Sequence, residues 1–520
     1  MAVDSTTPLL TKSTDPEREQ HRPQYSSIEE ITEPYLRTLT WPQILQAMLG
    51  FLPLIFEAQT TFVSIFADKK PTWHCTNLEQ NSSCSSSSDI CKLPSSSWSW
   101  DKPAYTSTVS EWALECASNR VMEGLPASSF FIGCLVTGFA LFFIGDSFGR
   151  KKMLFCSSII MSVATFCTAF SMNVWVYSAM RFTSGIGRAA IGSCALVIAT
   201  ESVGKKWQGK VGSVGFVVFT MGSLSLPPIA YFLQNYSWRI MYVLISIPSI
   251  SYCIILQLFA YESPKWLLSQ GRQREALQVL NKLAGNDDET TEILESYSKS
   301  WKIIDNEDQE NKEKSSFLRS MLERKVFSKQ LLFLVTMSFG IGLVYYGVAF
   351  SVGNLDFDLY WGATFNYSLQ IVTFLIIFST VTKLKRRTTL LLLTTISGIS
   401  CIVLCTNLGK QLFEVGMELL AFFGASTAFS LLLIYTAELF PTCARNSAVA
   451  IVWQALILGG VVSPVLIAAA GENSLISYGV FGISVIATGF IVILLPETIG
   501  VKSSVDDCME DTVGKQENGV

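Results

Sequence analysis

The sequence predicts a polytopic α-helical membrane protein with about twelve transmembrane helices, and three observations indicate that fold class. Of its 520 residues, 49% are hydrophobic and only 15% are charged. The charges collect in residues 1–41, in 262–329 and after 497, with long apolar runs between them. A bilayer core about 30 Å thick needs about 20 apolar residues per helix, which these runs supply. The small net charge of −4 gives no indication of nucleic-acid binding.

Residues 1–41 are polar and lack the apolar core of a secretory signal, so we expect a disordered cytosolic tail. Within it, Asp4 precedes Leu9 and Leu10 at the spacing of an acidic dileucine sorting signal. Such short patterns also arise by chance. If a sorting adaptor binds Leu9 and Leu10, the vacuolar membrane is favoured over the plasma membrane.

Twelve spans follow from the apolar runs. They are expected near residues 42–66, 125–144, 153–170, 174–200, 211–232, 241–260, 330–352, 365–381, 388–406, 416–439, 447–470 and 475–495. Basic residues follow the second, fourth and eighth spans, and alternating spans place all three clusters on one side. The positive-inside rule makes that side cytosolic, so both termini face the cytosol.

The first outer loop, residues 67–124, carries an even number of cysteines in an oxidising space, which favours two disulfides with three possible pairings. These cysteines are Cys75, Cys84, Cys91 and Cys116. In the same loop, Asn81 begins an Asn-Ser-Ser glycosylation sequon.

The charged stretch 262–329 divides the spans into two sets of six, at 42–261 and 330–498, with a short cytosolic tail at 499–520. Its beginning, "ESPKWLLSQGRQREALQVLNKLA", has the apolar spacing of a helix, and the remainder is polar and acidic. We interpret the whole stretch as a solvated cytosolic linker.

Five short motifs identify a family. They read "GDSFGRKK" at 145–152, "RFTSGIGRAA" at 181–190, "ESPKWLLSQGR" at 262–272, "IYTAELFPTCARN" at 434–446 and "LLPETIG" at 494–500. Together they resemble the motifs of the major facilitator superfamily. The Cys-rich outer loop with "TWHC" at 72–75 resembles the plant organic cation/carnitine transporters within it.

The resemblance implies two six-helix bundles, a central substrate site and alternating access. It also implies an inner gate on the cytosolic side. That gate is expected to include Asp146, Gly149, Arg150, Glu201, Glu262, Glu438 and Arg445. The sequence departs from the family at Ser147, where Arg is usual, which removes one charge from the gate.

Two intramembrane charges are expected to meet in the first bundle. Glu57 lies about 22 Å from the cytosolic end of the first span, and Arg181 about 10 Å from the outer end of the fourth, at 1.5 Å per residue. These depths agree, so we expect Glu57 and Arg181 to face each other. Because buried charges are costly, the pair is either a proton-coupling pair, as in the superfamily's proton-coupled sugar porters, or a static ion pair.

The substrate site is expected from a cation and a set of aromatic and amide side chains. Arg188, two turns deeper than Arg181, is a candidate partner for a substrate carboxylate or for polar groups of the bundle. Aromatic faces attract quaternary ammonium groups, although each also fits core packing. The candidates are Arg188, Tyr345, Tyr346, Gln370, Trp453 and Gln454. The family's usual acid and Pro in the eighth span are replaced by Gln370 and Val372.

The resemblance therefore predicts a proton-coupled secondary transporter of small organic cations or zwitterions such as carnitine. A sugar or polyol proton symporter is the alternative within transport, and a non-transporting nutrient sensor is the alternative outside it. No pattern of metal ligands or catalytic nucleophiles is present, so we expect no metal, no cofactor and no enzymatic activity.

Overall fold

The structure is a computed structural model of the chain. It describes residues 28–76, 90–94, 96–116, 121–144, 148–285, 325–355, 357–380, 385–406, 411–440, 442–471 and 475–498. The sorting motif at Leu9 and Leu10, the sequon at Asn81, Cys84 and Asp146 lie outside these residues, as does the side chain of Cys116.

Twelve spans run through the described residues, and eleven of those described are long and apolar enough to cross a membrane by length and composition. Spans 1 to 6 are Trp41–Ala67, Val121–Ile144, Arg150–Thr168, Val174–Glu201, Lys205–Phe232 and Trp238–Phe259. Spans 7 to 12 are Lys325–Ser351, Leu359–Thr380, Arg386–Cys405, Gln411–Leu439, Thr442–Ala470 and Leu475–Gly489. Span 8 is the one of the twelve that is not included in the eleven. With 22 residues, it is nevertheless long enough to cross a membrane.

Span 1 is interrupted beside its carboxylate. It consists of the helices Trp41–Phe51, Pro53–Phe62 and Ser64–Ala67. Pro53 lacks an N–H group, so a new helix begins there at its first position. Span 4 is divided in the same way into Val174–Arg188 and Ile191–Glu201. Glu57 therefore lies between the divisions of span 1 at Leu52 and Val63, and Arg188 is the last residue of the first segment of span 4.

The glycines of "RFTSGIGRAA" allow span 4 to approach its neighbours closely. A Cβ on Gly185 would lie 2.0 Å from the carbonyl oxygen of Phe130 in span 2, and one on Gly187 would lie 2.3 Å from the nitrogen of Met161 in span 3. Small residues at such contacts bring transmembrane backbones together. This motif therefore packs the first bundle and fixes the position of Arg188.

Two hydrogen bonds join the bundles in their outer halves. Ser128 in span 2 donates a hydrogen bond to the carbonyl of Val461 in span 11 at 2.8 Å. Lys69, just after span 1, donates to the hydroxyl of Tyr360 in span 8 at 3.0 Å. These contacts join the bundles on the side opposite the basic loops.

The outer loop is a small folded unit. Strands β1, Trp73–Cys75, and β2, Trp98–Trp100, pair antiparallel, and a one-turn helix at Thr108–Glu111 follows. Cys75 and Cys91 each take part in a disulfide bond. The outer loop therefore contains disulfide-bonded cysteines.

The described start of the segment after span 6 is packed against the rest of the protein on one face, which corrects the prediction of a solvated linker for this part. Helices Pro264–Ser269 and Gln273–Ala284 bury their apolar faces against the helix Ile28–Leu36. Leu280 and Leu283 are fully buried in a cluster with Leu36. The predicted disordered tail is therefore wrong for residues 28–36, because the amphipathic helix Gln273–Ala284 covers their apolar side.

Candidate functional site

A buried ion pair lies in the first bundle. Arg188 Nη2 is 3.1 Å from Glu57 Oε1, and each residue is 4% exposed. Arg188 Nη1 also donates to the Sγ of Cys134 in span 2 at 3.7 Å. Glu57 Oε2 and Arg188 Nε are buried without a hydrogen-bond partner among the described residues. The pair is therefore incompletely satisfied, and each partner retains capacity to bind something else.

The expected pairing of Glu57 with Arg181 is wrong in the structure. Arg181 instead donates from Nη1 to the carbonyl of Thr60 at 2.8 Å, and its guanidinium carbon lies 4.4 Å from the ring centroid of Phe130. Arg181 thus contacts span 1 at Thr60, about one turn outward of Glu57.

Side-chain direction explains the difference. Side chains in a helix lean toward its N-terminus. Spans 1 and 4 run antiparallel, so the Glu57 carboxylate leans toward the cytosol while the Arg188 and Arg181 guanidinium groups lean outward. Depths counted at Cα atoms therefore misplace the acid and the bases in opposite directions.

The second bundle presents aromatic rings toward the ion pair. Tyr346 packs against Phe131 of span 2 with ring centroids 4.6 Å apart and lies within electrostatic reach of Arg188. Tyr345 packs beside it, with centroids 5.0 Å apart, and stacks on Phe422 of span 10 at 5.6 Å. Both tyrosines are buried. The structure therefore brings Arg188, Tyr346 and Tyr345 together between the bundles.

Of the remaining candidates, Gln370 contacts this aromatic group directly, whereas Trp453 and Gln454 make other contacts. Gln370 donates from Nε2 to the Tyr345 hydroxyl at 3.1 Å, and its Oε1 is buried without a partner among the described residues. Trp453 packs edge-on against Phe429, with centroids 5.6 Å apart. Gln454 packs against Gly138 of span 2, across the interface between the bundles.

An outer cluster around Asp68 was not predicted. Asp68 Oδ1 accepts hydrogen bonds from Thr108 Oγ1 and from the hydroxyl of Tyr177, both at 2.8 Å. Burial raises the pKa of Asp68 from its usual 3.8 to about 6, while hydrogen bonds from Thr108 and Tyr177 and the charge of Arg181 oppose that rise. Asp68 therefore connects the outer loop to the helix of Arg181. Asp68 directly follows the last residue of the first span, and this position in the sequence could have identified it as a candidate.

A second missed acid is Glu418, which is 1% exposed in span 10. It interrupts an apolar run as Glu57 does, so the same reasoning that identified Glu57 would have found it.

Several residues of the expected inner gate lie together around the end of span 6. Glu262 Oε1 accepts hydrogen bonds from the backbone N–H groups of Arg150 at 2.7 Å and Lys151 at 2.9 Å. The helix dipole favours a carboxylate at this helix start. Ser263 donates to Glu201 at the end of span 4. Glu262 therefore ties span 6 to the start of span 3.

The second bundle repeats this arrangement. Glu497 accepts from the backbone N–H of Arg386, at the start of span 9, at 2.8 Å. The Arg386 guanidinium binds both oxygens of Glu438, at 3.0 and 2.8 Å. Arg386 is thus an ionic partner of Glu438 among the described residues. Neither Arg386 nor Glu497 was among the predicted gate residues.

Comparisons with known proteins agree with this architecture. The family model for sugar (and other) transporters matches residues 71–504. The chain is 44% identical to organic cation/carnitine transporter 3 of Arabidopsis thaliana, covering 96% of each chain. It is 41% identical to organic cation/carnitine transporter 2 of the same plant, covering 98% of this chain and 97% of the relative.

More distant similarities extend beyond plants. Organic cation/carnitine transporter 2 of Homo sapiens is 27% identical, covering 78% of this chain and 72% of the relative. The inward-open structure of the xylose transporter XylE from E. coli superposes with a TM-score of 0.63 at 18% identity, over 89% of this chain and 98% of that one. This last similarity concerns the fold alone.

Proposed function

The chain belongs to the sugar (and other) transporter family of the major facilitator superfamily and, within it, to the organic cation/carnitine transporters, and from this premise we propose that it carries small organic cations or zwitterions such as carnitine by proton-coupled alternating access. It is an integral membrane protein with the fold of a solute transporter. The proposal concerns the substrate, the coupling proton and the membrane.

The single observation that carries the proposal is the Glu57–Arg188 ion pair beside Tyr346. A carnitine-like zwitterion combines a quaternary ammonium with a carboxylate. Aromatic faces such as those of Tyr345, Tyr346 and Trp453 attract the ammonium. Arg188 offers the carboxylate a planar guanidinium with several donors. The site thus contains a complement for each end of such a solute.

Coupling follows from competition for Arg188. When a substrate carboxylate binds Arg188, Glu57 loses its cationic partner. An unpaired buried charge costs about 3–5 kcal/mol, so Glu57 then binds a proton instead. The proton and the zwitterion therefore load together, and the pair re-forms when both have left.

The hydrogen bonds that join the bundles in their outer halves support an inward-facing arrangement for this cycle. We propose that the contacts of Glu262 and Glu497 keep each bundle rigid while the bundles rock against each other.

The experiment is uptake of labelled carnitine into proteoliposomes containing the purified protein, with and without an imposed pH gradient. We expect uptake that the gradient stimulates. Glu57→Gln should lose this stimulation while carnitine exchange is partly retained, because the neutral amide imitates the protonated acid. Gradient-driven uptake by Glu57→Gln would contradict coupling at Glu57.

The same assay addresses the alternatives. The family model includes sugar transporters, so sugars and polyols are tested alongside carnitine. Uptake of a sugar without carnitine would replace the proposed substrate class. Binding of solutes without any uptake would favour the nutrient-sensor hypothesis.

We propose the vacuolar membrane as the location, with the plasma membrane as the alternative. The support is the sequence pattern of Asp4, Leu9 and Leu10, and a glycan at Asn81 is consistent with a lumenal first loop. Replacing Leu9 and Leu10 by Ala in a fluorescent fusion should move the protein to the plasma membrane. An unchanged location would show that these leucines are not read by a sorting adaptor.

A further inference from the structure

A carboxylate in the second bundle is buried without a cation. Glu418 lies about two turns from the outer end of span 10 and is 1% exposed. Its Oε1 accepts a hydrogen bond from Asn366 Nδ2 of span 8 at 2.7 Å. Among the described residues, no Lys, Arg or His forms an ion pair with Glu418. An ionised carboxylate in such a place is costly, and a neutral acid is not.

The described groups around Glu418 supply no compensating positive charge. Cys401 of span 9 and Tyr478 of span 12 are within electrostatic range of Glu418, and both are neutral at physiological pH. Glu414, one turn outward on span 10, is itself an acid. From span 7 the titratable group at this contact is Tyr345, which stacks on Phe422.

Span 11 also packs against span 10. Its sequence carries a single charged residue, Arg445, near its cytosolic end. Arg445 is therefore remote from the outer half of span 10. Every element around Glu418 accordingly presents neutral groups or another acid, which favours the protonated form of Glu418.

Asn366, the hydrogen-bond donor to Glu418, has a side-chain oxygen that lacks a donor in the described part of the chain. It is 2% exposed, and its Oδ1 is buried with no hydrogen-bond donor among the described residues. A carboxylic acid paired with a primary amide forms two hydrogen bonds: the amide N–H donates to one acid oxygen, and the acid O–H donates to the amide oxygen. The first is present as Asn366 Nδ2 to Glu418 Oε1. A proton on Glu418 Oε2 would supply the donor that Asn366 Oδ1 lacks.

We propose that Glu418 and Asn366 form a second proton-binding site, located in the C-terminal bundle and separate from Glu57. One proton from the aqueous phase adds to a carboxylate oxygen of Glu418 and later returns to water, with no other bond made or broken.

The site is one helical turn from the aromatic group. Asn366 and Gln370 are four residues apart on span 8, and Glu418 and Phe422 are four apart on span 10, so each pair shares a helix face. Gln370 donates to the Tyr345 hydroxyl, and Phe422 stacks on the Tyr345 ring. A proton at Glu418 thus fixes the contact between the two helices that hold Tyr345. This link to transport rests on the proposed function, whereas proton binding does not.

The first test is infrared difference spectroscopy of the purified full-length protein in nanodiscs, recorded between acidic and alkaline pH without substrate. We expect a carbonyl band of a buried carboxylic acid that is absent from Glu418→Gln and present in Glu57→Gln. A spectrum of Glu418→Gln identical to that of the wild type would overturn the proposal. Because no transport is measured, failure of carnitine uptake does not affect this result.

The second test uses stability. Gln at position 418 can make both hydrogen bonds to Asn366, so Glu418→Gln should remain folded. The wild type should become more heat-stable as pH falls, because its folded state binds a proton that the unfolded chain has released at neutral pH. Glu418→Gln should lose that part of the pH dependence. An equal pH dependence in both proteins would contradict a titrating Glu418.

The third test measures protons carried per solute in proteoliposomes. Glu418→Gln should carry fewer protons per solute than the wild type. Asn366→Leu, which removes the amide but leaves the acid, should shift the pH midpoint of the infrared band. If the stoichiometry and the midpoint both stay unchanged, Glu418 has no part in coupling.

Discussion

At the scale of single residues, two arginines in one helix interact electrostatically with two different acids. Arg188 binds Glu57 directly at 3.1 Å, whereas Arg181 lies outward of it and is close enough to influence Asp68. This arrangement orders the charges along the first bundle from Asp68 through Arg181 and Arg188 to Glu57. Each of these four groups has an opposite charge nearby, which lowers the free-energy cost of burying it.

Asp68 provides a pH test at this scale. Burial raises its pKa to about 6, so the folded protein loses stability as the pH rises from about 4 through 6 and the carboxyl ionises. Asp68→Asn keeps an oxygen that accepts from Thr108 and Tyr177 but cannot ionise. We expect the variant to show a flatter pH dependence of its unfolding temperature over this range, measured by thermal unfolding in nanodiscs.

Asp101 is the matched control in the outer loop. Hydrogen bonds from Thr72 and His74 lower the pKa of Asp101, so its contribution to stability grows with pH instead. Asp101→Asn should therefore change the slope in the opposite direction. If both variants changed the slope alike, or Asp68→Asn left it unaltered, burial of Asp68 would not explain the effect.

At the scale of elements, each bundle caps one helix with a carboxylate from beyond its last span. Glu262 accepts from the backbone at the start of span 3, and Glu497 accepts from the backbone at the start of span 9. Glu201 and Glu438 likewise end spans 4 and 10. The repetition follows from the parallel relation of the two halves in this fold, which places equivalent helix ends together.

Gly149 tests the first cap. It has φ of +82°, and a Cβ there would lie 2.7 Å from Glu262 Oε2. Gly149→Ala should therefore suffer both backbone strain and a clash with the cap. Gly271, with φ of +68° and open space around it, should suffer the strain alone, about 1–2 kcal/mol. Thermal unfolding should show a larger loss for Gly149→Ala than for Gly271→Ala.

The cap is isolated by repeating both substitutions in a Glu262→Ala background. Without the carboxylate, the excess loss of Gly149→Ala over Gly271→Ala should shrink. An excess of the same size in both backgrounds would mean that Glu262 does not restrict position 149.

At the scale of the whole molecule, transport requires the contact between the bundles in their outer halves to open and close. The backbones of spans 2 and 11 approach each other closely at Gly124, near the outer end of span 2. A Cβ there would lie 2.4 Å from the carbonyl oxygen of Pro464 in span 11. Closure on this side therefore depends on the absence of a side chain at position 124.

Gly124→Val should prevent outer closure. We expect uptake to fall roughly tenfold or more, since a shift of about 1.4 kcal/mol changes a population tenfold. Hydrogen–deuterium exchange should increase at the outer ends of spans 2 and 11. Gly416→Val, in span 10 with open space around the glycine, is the matched control and should change neither. Unchanged exchange in Gly124→Val would contradict a tight outer contact.

The sequence alone determined the class of protein and the approximate position of its spans, because bilayer thickness requires long apolar runs whatever the packing. It also located Glu57, Arg181 and Arg188, since charges are conspicuous in apolar runs, but Asp68 and Glu418 were missed. The predicted fold class and family were confirmed by the matching transporters. The predicted roles of Glu57, Arg188 and the aromatic side chains stay predictions.

Only the tertiary structure decided which charges meet. Counting residues along two helices gives the depths of Cα atoms, but the lean of side chains and the rotation of each helix determine contacts, and so Arg188 rather than Arg181 binds Glu57. The contact between Glu418 and Asn366 likewise depends on how their two spans pack, because these residues are 52 positions apart in the sequence. The packing of residues 28–36 on the helix Gln273–Ala284 also depends on contacts between distant segments, which periodicity in either segment does not specify.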